Sequence, residues 1–400
     1  VPHETPLIAT IAMALVCALI GGFAAARLRL PPLVGYLLAG VAVGPFTPGF
    51  VADGKLAAQL AEIGVIMLMF GVGMHFSLRD LLSVRAVAVP GALVQVAAAT
   101  GMGAALAHLW GWAPGAGLVF GLTLSIASTV VLLRALDGLG LLGTEAGRLA
   151  VGWLVVEDLL TVLVLVLLPP LAGLLGGTPA PAGTDLPVLI AITLGKVAGF
   201  VAFMLVIGAR VLPWFLDQVE RTGSRELFTV AVVAIAIGVA YGSATLLDLS
   251  YALGAFFAGV VLRESGHSAR AGADARPLTD ALAVLFFVAV GMLFDPAVLV
   301  REPLRVLAVV AVIALGKSVV AAIFVLALRQ GRATALIVAA SLGQIGEFSF
   351  ILAELGEHVG VLPHEATAIL VAGALVTITL NPLLFRLAGA YAGSVSWKRP

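Results

Sequence analysis

The chain has 400 residues, 61% of them hydrophobic and only 11% charged. A soluble domain carries about 25% charged residues, so this composition excludes a water-soluble globular protein and describes an all-α, polytopic membrane protein. Net charge is zero, so no basic face advertises nucleic acid, and a single cysteine, Cys17, excludes an intrachain disulfide.

Crossing a bilayer core takes about 20 apolar residues per helix. Hydropathy and helix breakers predict thirteen spans, near 6–26, 32–46, 57–77, 86–109, 114–136, 148–172, 186–210, 226–243, 249–262, 279–294, 303–328, 333–354 and 364–388. The second and ninth are short. The first follows VPHETP, which has no basic residue, while Arg27 and Arg29 come after it; it reads as a retained helix rather than a signal peptide. Basic residues test the alternation. Of 22, Lys196 and Lys317 fall inside spans, 17 lie on the side that follows the odd-numbered spans, and only Lys55, Arg301 and Arg305 lie on the other. The positive-inside rule then places the N-terminus outside and the C-terminus in the cytoplasm.

Span five is interrupted by polar residues, Leu124-Ser125-Ile126-Ala127-Ser128-Thr129. Taken alone, Ser128 and Thr129 are as well explained by bonding back to their own helix. Span six carries adjacent acids, Glu157 and Asp158, inside VGWLVVEDLLTVLVLVLLPPL. An acid in hydrocarbon costs a few kcal/mol or more, and intramembrane ionisable groups mark ion or proton pathways. Burial disfavours an uncompensated carboxylate charge, so one such site can hold either a proton or a monovalent cation. That competition suffices to couple two fluxes. Asp158 is the first candidate for this role; the alternative is a buried structural acid. Glu157 lies about 100° around the helix from it, so one acid is expected to line the ion site while the other faces a different helix. Glu157 can pair with Lys317, accept a second proton, or serve structure only.

Lys196 lies midway along span seven without an acid nearby in sequence; snorkelling or a partner across the fold is the expectation. Lys317, in ALGKSVVAAIF of span eleven, must pair, deprotonate or cap carbonyls. Span twelve contains Ser341-Leu342-Gly343-Gln344-Ile345-Gly346-Glu347-Phe348. Its glycines weaken the helix, and Gln344 and Glu347 need partners in an apolar setting. Glu347 can offset positive half-helix ends or join an ion shell with Gln344 orienting it, or both can be satisfied by packing. Ser125, Ser128 and Thr129 offer hydroxyl or freed carbonyl oxygens, which suit potassium. His75 reads as interfacial, 263–277 (RESGHSARAGADARP) as a polar, basic cytoplasmic loop, and 173–185 as a flexible outside loop. No His/Cys cluster has metal-ligand spacing, and no enzyme site or cofactor is expected; the ions are cargo.

Two stretches recur at nearly one offset. Val34-Gly35 with Ala39-Gly40-Val41 returns as Leu253-Gly254 with Ala258-Gly259-Val260, and Val72-Gly73-Met74 returns as Val290-Gly291-Met292, offsets of 219 and 218. The shift moves each span by seven, an odd number, so the second copy is upside down. Inverted repeats with discontinuous helices at the midplane are a signature of secondary transporters. The division is then repeat one at about 6–172, a linker helix at about 186–210, repeat two at about 226–388, and the start of a cytoplasmic tail at 391–400. The offset also places span five on span twelve, which favours a break in both.

The stretches PLVGYLLAGVAVGPFTPGF, LMFGVGMHFSLRDL, LSIASTVVLLRAL, GWLVVEDLL, SYALGAFFAGVVLRES, AVLFFVAVGMLFDP, ALGKSVVA and SLGQIGEFSFILAELG run in order through nearly the whole chain. In these the chain resembles the monovalent cation:proton antiporter-2 family, and within it the Kef-type potassium/proton antiporters, particularly the YbaL-like members. The resemblance implies an NhaA-like fold with spans five and twelve crossing as broken helices. It also implies a homodimer built from a scaffold and an ion-carrying core, a bacterial-type inner membrane, Asp158 as the ion-carrying carboxylate and Lys317 as the membrane lysine near it. Glu157 departs from the family pattern, where that position is Asp, Asn or Gln, so charge stoichiometry stays open. Family members usually continue into a cytoplasmic nucleotide-binding regulatory domain; no Rossmann fingerprint occurs in these 400 residues. The leading expectation is a potassium/proton antiporter with elevator-type alternating access. A sodium/proton antiporter and, from another class, a ligand-gated potassium efflux channel are the alternatives. An organic-anion symporter would leave the paired acids without a role.

Overall fold

The computed structural model describes residues 6–28, 30–47, 54–75, 78–179 and 186–392. Among them every regular element is helical. The first half comprises α1 (Pro6–Arg27), α2 (Pro32–Val43), α3 (Gly54–His75), α4 (Leu78–Leu109), α5 (Pro114–Ser125), α6 (Thr129–Gly138) and α7 (Glu145–Leu171). Next come α8 (Leu186–Phe203) and α9 (Ala209–Glu220), joined by a π-helical turn, Met204–Gly208. The second half comprises α10 (Arg225–Leu247), α11 (Tyr251–Arg263), α12 (Ser268–Met292), the short α13 (Val298–Arg301), α14 (Pro303–Ala311) and α15 (Lys317–Ala327), then α16 (Arg332–Leu342), α17 (Glu347–His358) and α18 (His364–Ala392). A second π-helical turn, Val312–Gly316, joins α14 to α15. Ten of the described helical stretches are long and apolar enough to cross a membrane, eleven with the bent pair α16–α17. The predicted second and ninth spans are helices of 12 and 13 residues, shorter than a bilayer crossing.

The two predicted interruptions are real breaks. α5 stops at Ser125, Ile126 is extended (φ −84°, ψ 132°), and Ser128 caps α6 by accepting a hydrogen bond from the Val131 amide. α16 stops at Leu342, and α17 restarts after Gly346, with a bend of 42°. The starts of α1, α2, α5, α6 and α7, at Pro6, Pro32, Pro114, Thr129 and Glu145, recur as those of α10, α11, α16, α17 and α18, at Arg225, Tyr251, Arg332, Glu347 and His364. The spacings are 219, 219, 218, 218 and 219 residues.

The chain forms two compact units. The first contains residues 1–21, 35–77 and 183–292. Small residues let its helices cross backbone to backbone. A Cβ on Gly40 would lie 2.0 Å from the Val288 carbonyl oxygen and 2.8 Å from Gly291 Cα; one on Gly259 would lie 2.2 Å from the Phe70 carbonyl oxygen and 3.0 Å from the Gly73 carbonyl carbon. Gly40 and Gly259, and likewise Gly73 and Gly291, are the recurring sequence positions, so one crossing is made twice. Close approach of this kind replaces hydrophobic drive inside lipid.

One sequence expectation fails here. Residues 263–277 are not one loop: a turn at 264–267 follows α11, and α12 begins at Ser268 and runs through Pro277. Its polar face is satisfied by tertiary ion pairs that sequence does not display. His267 contacts Asp217 (2.7 Å) and Glu220 (3.3 Å), Arg270 binds Glu220 (2.6 Å), and Arg225 binds Asp274 (3.4 Å). On its other face Ala271 and Ala275 are buried. Lys196, without a local acid, pairs with Asp248 at 2.7 Å. Asp248 ends α10 in the left-handed conformation (φ 55°). His75 closes α3, and its side chain lies outside the described residues.

The second unit contains residues 22–34, 78–182 and 293–400. Its core surrounds Trp153, with Leu132, Leu136, Leu149, Val338, Leu342 and Phe385. Trp153 is fully buried and stacks edge-on against Phe324, with ring centres 5.9 Å apart. The indole occupies the space that a side chain at position 91 would need. Of the expected outside loop, Ala172–Leu175 is a 3₁₀ turn and Thr178 donates its amide to the Val359 carbonyl at 2.8 Å; residues 180–185 lie outside the described residues.

Candidate ion-binding site

All eight residues singled out for the site lie in the second unit, and seven of them meet where the breaks of α5–α6 and α16–α17 cross. Breaking a helix frees backbone groups that must find partners where water is absent. Here the side chains supply them. Gln344 pairs with Ser128 as a strand residue would: the Ser128 amide donates to Gln344 Oε1 (3.0 Å) and Gln344 Nε2 donates to the Ser128 carbonyl (3.1 Å). Gln344 therefore locks one break to the other rather than orienting Glu347. That task falls to Ser128, whose hydroxyl donates to Glu347 Oε2 at 2.9 Å. Gly346 has no room for a Cβ, which would lie 2.7 Å from the Ala127 carbonyl oxygen and 2.8 Å from Ser128 Cα.

The two acids of α7 diverge, as adjacent helix positions must, yet both reach the first break, because its extended chain runs across the face of α7. Glu157 Oε2 accepts from the Ala127 amide at 3.2 Å, and Asp158 Oδ2 accepts from the Thr129 hydroxyl at 2.9 Å. Lys317, fully buried, donates to the Gln344 carbonyl at 3.0 Å. It caps a freed carbonyl instead of bonding to either acid, while Glu157 remains within its Coulombic reach. The π-helical turn just before Lys317 adds a residue to the turn and so sets the direction in which this side chain leaves its helix. Ser125 stands apart from the others: its hydroxyl bonds back to Leu122 at 2.7 Å, and only its carbonyl serves the break.

Three carboxylates, Glu157, Asp158 and Glu347, are thus at most 3% exposed, and each spends one oxygen on a donor. Among the described residues Glu157 Oε1, Asp158 Oδ1 and Glu347 Oε1 have no partner in strict hydrogen-bond geometry; the Trp153 indole interacts with Glu157 and the Glu347 amide with its own carboxylate, which leaves Asp158 Oδ1 with no donor at all. The Trp153 indole N–H, one turn before Glu157, also lacks a partner in bonding geometry. A buried carboxylate oxygen without a donor is costly unless a proton or cation meets it. The one buried amine, Lys317, is within Coulombic reach of Glu157, and the arrangement can hold exchangeable positive charge at its acids.

Sequence reading missed several supports. Gln95 on α4 donates to the Ser125 carbonyl at 3.1 Å, Asn381 on α18 donates to the Ala340 carbonyl at 2.8 Å, and Ser318 donates to the Ala339 carbonyl at 2.8 Å. Gln95 and Asn381 are isolated polar side chains in apolar stretches and Ser318 follows Lys317, a signal present in the sequence but shared with any packed polar residue.

Residues 11–387 match the family model described as "Sodium/hydrogen exchanger, transmembrane". The chain is 56% identical over 389 residues to "Putative cation/proton antiporter YbaL" of Escherichia coli K12, covering 97% of this chain and 70% of that protein. It is 33% identical over 384 residues to "K(+) efflux antiporter 4" of Arabidopsis thaliana, covering 95% of this chain and 64% of the relative. Among solved structures it superposes on the sodium proton antiporter MjNhaP1 of Methanocaldococcus jannaschii with a TM-score of 0.74 at 16% identity, over 97% of this chain and 98% of the other. With a family match over almost its whole length and a fold shared with a solved antiporter, the chain belongs to the transmembrane sodium/hydrogen exchanger family, as the resemblance to cation:proton antiporters implied.

Proposed function

We propose that this protein is a secondary cation/proton antiporter that exchanges potassium for protons, with Asp158 as the group that binds cation or proton in turn. The observation that carries this reading is the free oxygen of Asp158, buried beside the Thr129 hydroxyl at a double helix break. A carboxylate so placed is stable with either cargo and unstable with neither, which forbids an empty ionised carrier from crossing the barrier. Glu157, Ser128 and Thr129 frame the site, Ser125 contributes its carbonyl end, and Lys317, Glu347 and Gln344 balance charge and hold the breaks. The potassium preference draws on the name of the plant relative; the family model's description supports sodium as the second reading.

The constant helix spacing supports a pair of inverted repeats, at about 6–172 and 226–388, joined by a linker helix at 186–210. On this reading alternating access is elevator-type, the protein is a homodimer in a prokaryotic inner membrane, the N-terminus is outside and the C-terminus cytoplasmic. Regulation by a cytoplasmic nucleotide-binding domain following position 391 belongs to the same proposal.

Purified protein in liposomes with an internal pH dye, under clamped membrane potential, tests the reading. Potassium gradients should drive proton movement and sodium gradients should not, and Asp158→Asn should abolish it. Sodium-driven exchange would shift the assignment to the second reading. Potassium flux that no proton gradient can drive uphill, and that survives Asp158→Asn, would make the protein a channel.

A further inference from the structure

The second break is held from behind by Lys317, whose ammonium donates to the Gln344 carbonyl. The first break has no lysine. At Ser125, 219 residues before Gln344, the carbonyl instead accepts from Gln95 Nε2 at 3.1 Å. The helices flanking the two breaks recur at 218 residues, α5 with α16 and α6 with α17, so the breaks correspond as elements, Ser128 and Gly346 being the residues that precede α6 and α17. The two breaks touch each other. Ser128 bonds Glu347, and the Ala127 carbonyl oxygen lies against Gly346. Each donor comes from the helix that precedes its break, Gln95 from α4 before α5 and Lys317 from the start of α15 before α16. Gln95 is fully buried in the apolar run ALVQVAAAT, and its Oε1 has no partner. An amide in that setting would be replaced by leucine at no loss if packing were its only task.

We propose that Gln95 is the counterpart of Lys317, a positioning residue that clamps the carbonyl end of α5 at the ion site. The two clamps differ in charge, and the difference has a consequence. Lys317 supplies a fixed cation near Glu157, whereas Gln95 holds its carbonyl without adding charge. Asp158 is therefore left to recruit its own proton or cation. A lysine in place of Gln95 would supply a second fixed cation and compete with the cargo. This inference rests on the antiport reading, because it assigns Gln95 to that same site.

Two measurements test it. Hydrogen–deuterium exchange on the purified protein reads the clamp without transport. Gln95→Leu should raise exchange of the amides at 126–131 by about tenfold, the loss of one hydrogen bond, and leave those at 345–350 unchanged; equal protection in both variants would overturn the clamp. The liposome assay reads the charge. Gln95→Leu should raise the KM for the cation several-fold with a smaller change in maximal rate, and Gln95→Lys should weaken cation dependence about tenfold or more. The transposed double variant Gln95→Lys/Lys317→Gln should be several-fold more active than Lys317→Gln alone. A transposed protein no better than Lys317→Gln would overturn the equivalence of the two positions. Failure of the unaltered protein to couple cation and proton movement would instead count against the antiport reading, and the exchange experiment would still decide the clamp.

Discussion

Asp158 has two oxygens in different circumstances, and this division shapes what substitutions should do. Oδ2 has the Thr129 hydroxyl, and Oδ1 has nothing. A hydrogen bond to a charged group contributes about 1.5–3 kcal/mol, so Thr129→Val should weaken cation binding by roughly tenfold or more, while Thr129→Ser, which keeps the donor, should stay near the original value. Cation-dependent KM in liposomes separates the two. Glu157 and Lys317 offer a second test. Removing one member of a buried opposite-charge set leaves the other uncompensated and costs about 3–5 kcal/mol. Glu157→Gln and Lys317→Gln should each lower the unfolding temperature in detergent, and the double variant should lose less than the two losses added together, by about 0.5–3 kcal/mol. Strict additivity would show that the two do not sense each other.

At the scale of elements, the broken helices carry the fold's cost and its chemistry. Each break forgoes helical hydrogen bonds at mid-membrane and recovers them through Gln344, Ser128, Lys317 and Gln95. The crossing also needs proximity that only a missing side chain allows. Gly346→Ala puts a methyl against the Ala127 backbone, and overpacking of this kind costs about 1–3 kcal/mol. Gly101→Ala on α4, where nothing lies within 4 Å, should be neutral or slightly stabilising through helix propensity of up to about 1 kcal/mol. Thermal unfolding of both variants should separate a glycine required by contact from one that is not. The breaks themselves were legible, because Gly343, Gly346 and the polar residues of both breaks stand out in apolar surroundings, and the repeat offset places span five on span twelve. The start of α12 was not. His267, Arg270 and Asp274 look like loop residues until Asp217, Glu220 and Arg225, from elements about 50 residues away, appear as their partners.

At the scale of the whole chain, the recurrence makes paired predictions possible. Gly40→Ala and Gly259→Ala occupy corresponding positions and meet backbone carbonyl oxygens at 2.0 and 2.2 Å. Both should destabilise the protein by similar amounts, to within about 0.5–1 kcal/mol, on the overpacking scale of about 1–3 kcal/mol. A large disparity would mean that the two crossings are not equivalent. The arginine distribution makes a separate prediction about topology: a reporter fused after residue 392 should be active only when it requires the cytoplasm, and one inserted near Lys55 only when it requires export.

The sequence by itself determined that the chain is a membrane protein, where most of its helices run, that two of them are interrupted, and that Glu157 and Asp158 lie as adjacent acids inside an apolar span. These follow from transfer free energies, which act residue by residue: an apolar run, a glycine or a charge has its cost wherever it lies. Only the tertiary structure decided how those costs are met. It placed both acids on one break, assigned Lys317 to a carbonyl rather than to an acid, made Gln344 the bond between breaks, and brought in Gln95 and Asn381. Such pairings join residues 27 to more than 200 positions apart. They are settled by geometry at short range, because a hydrogen bond survives only within a few tenths of an ångström of its ideal length, and that spacing is not written in the order of residues.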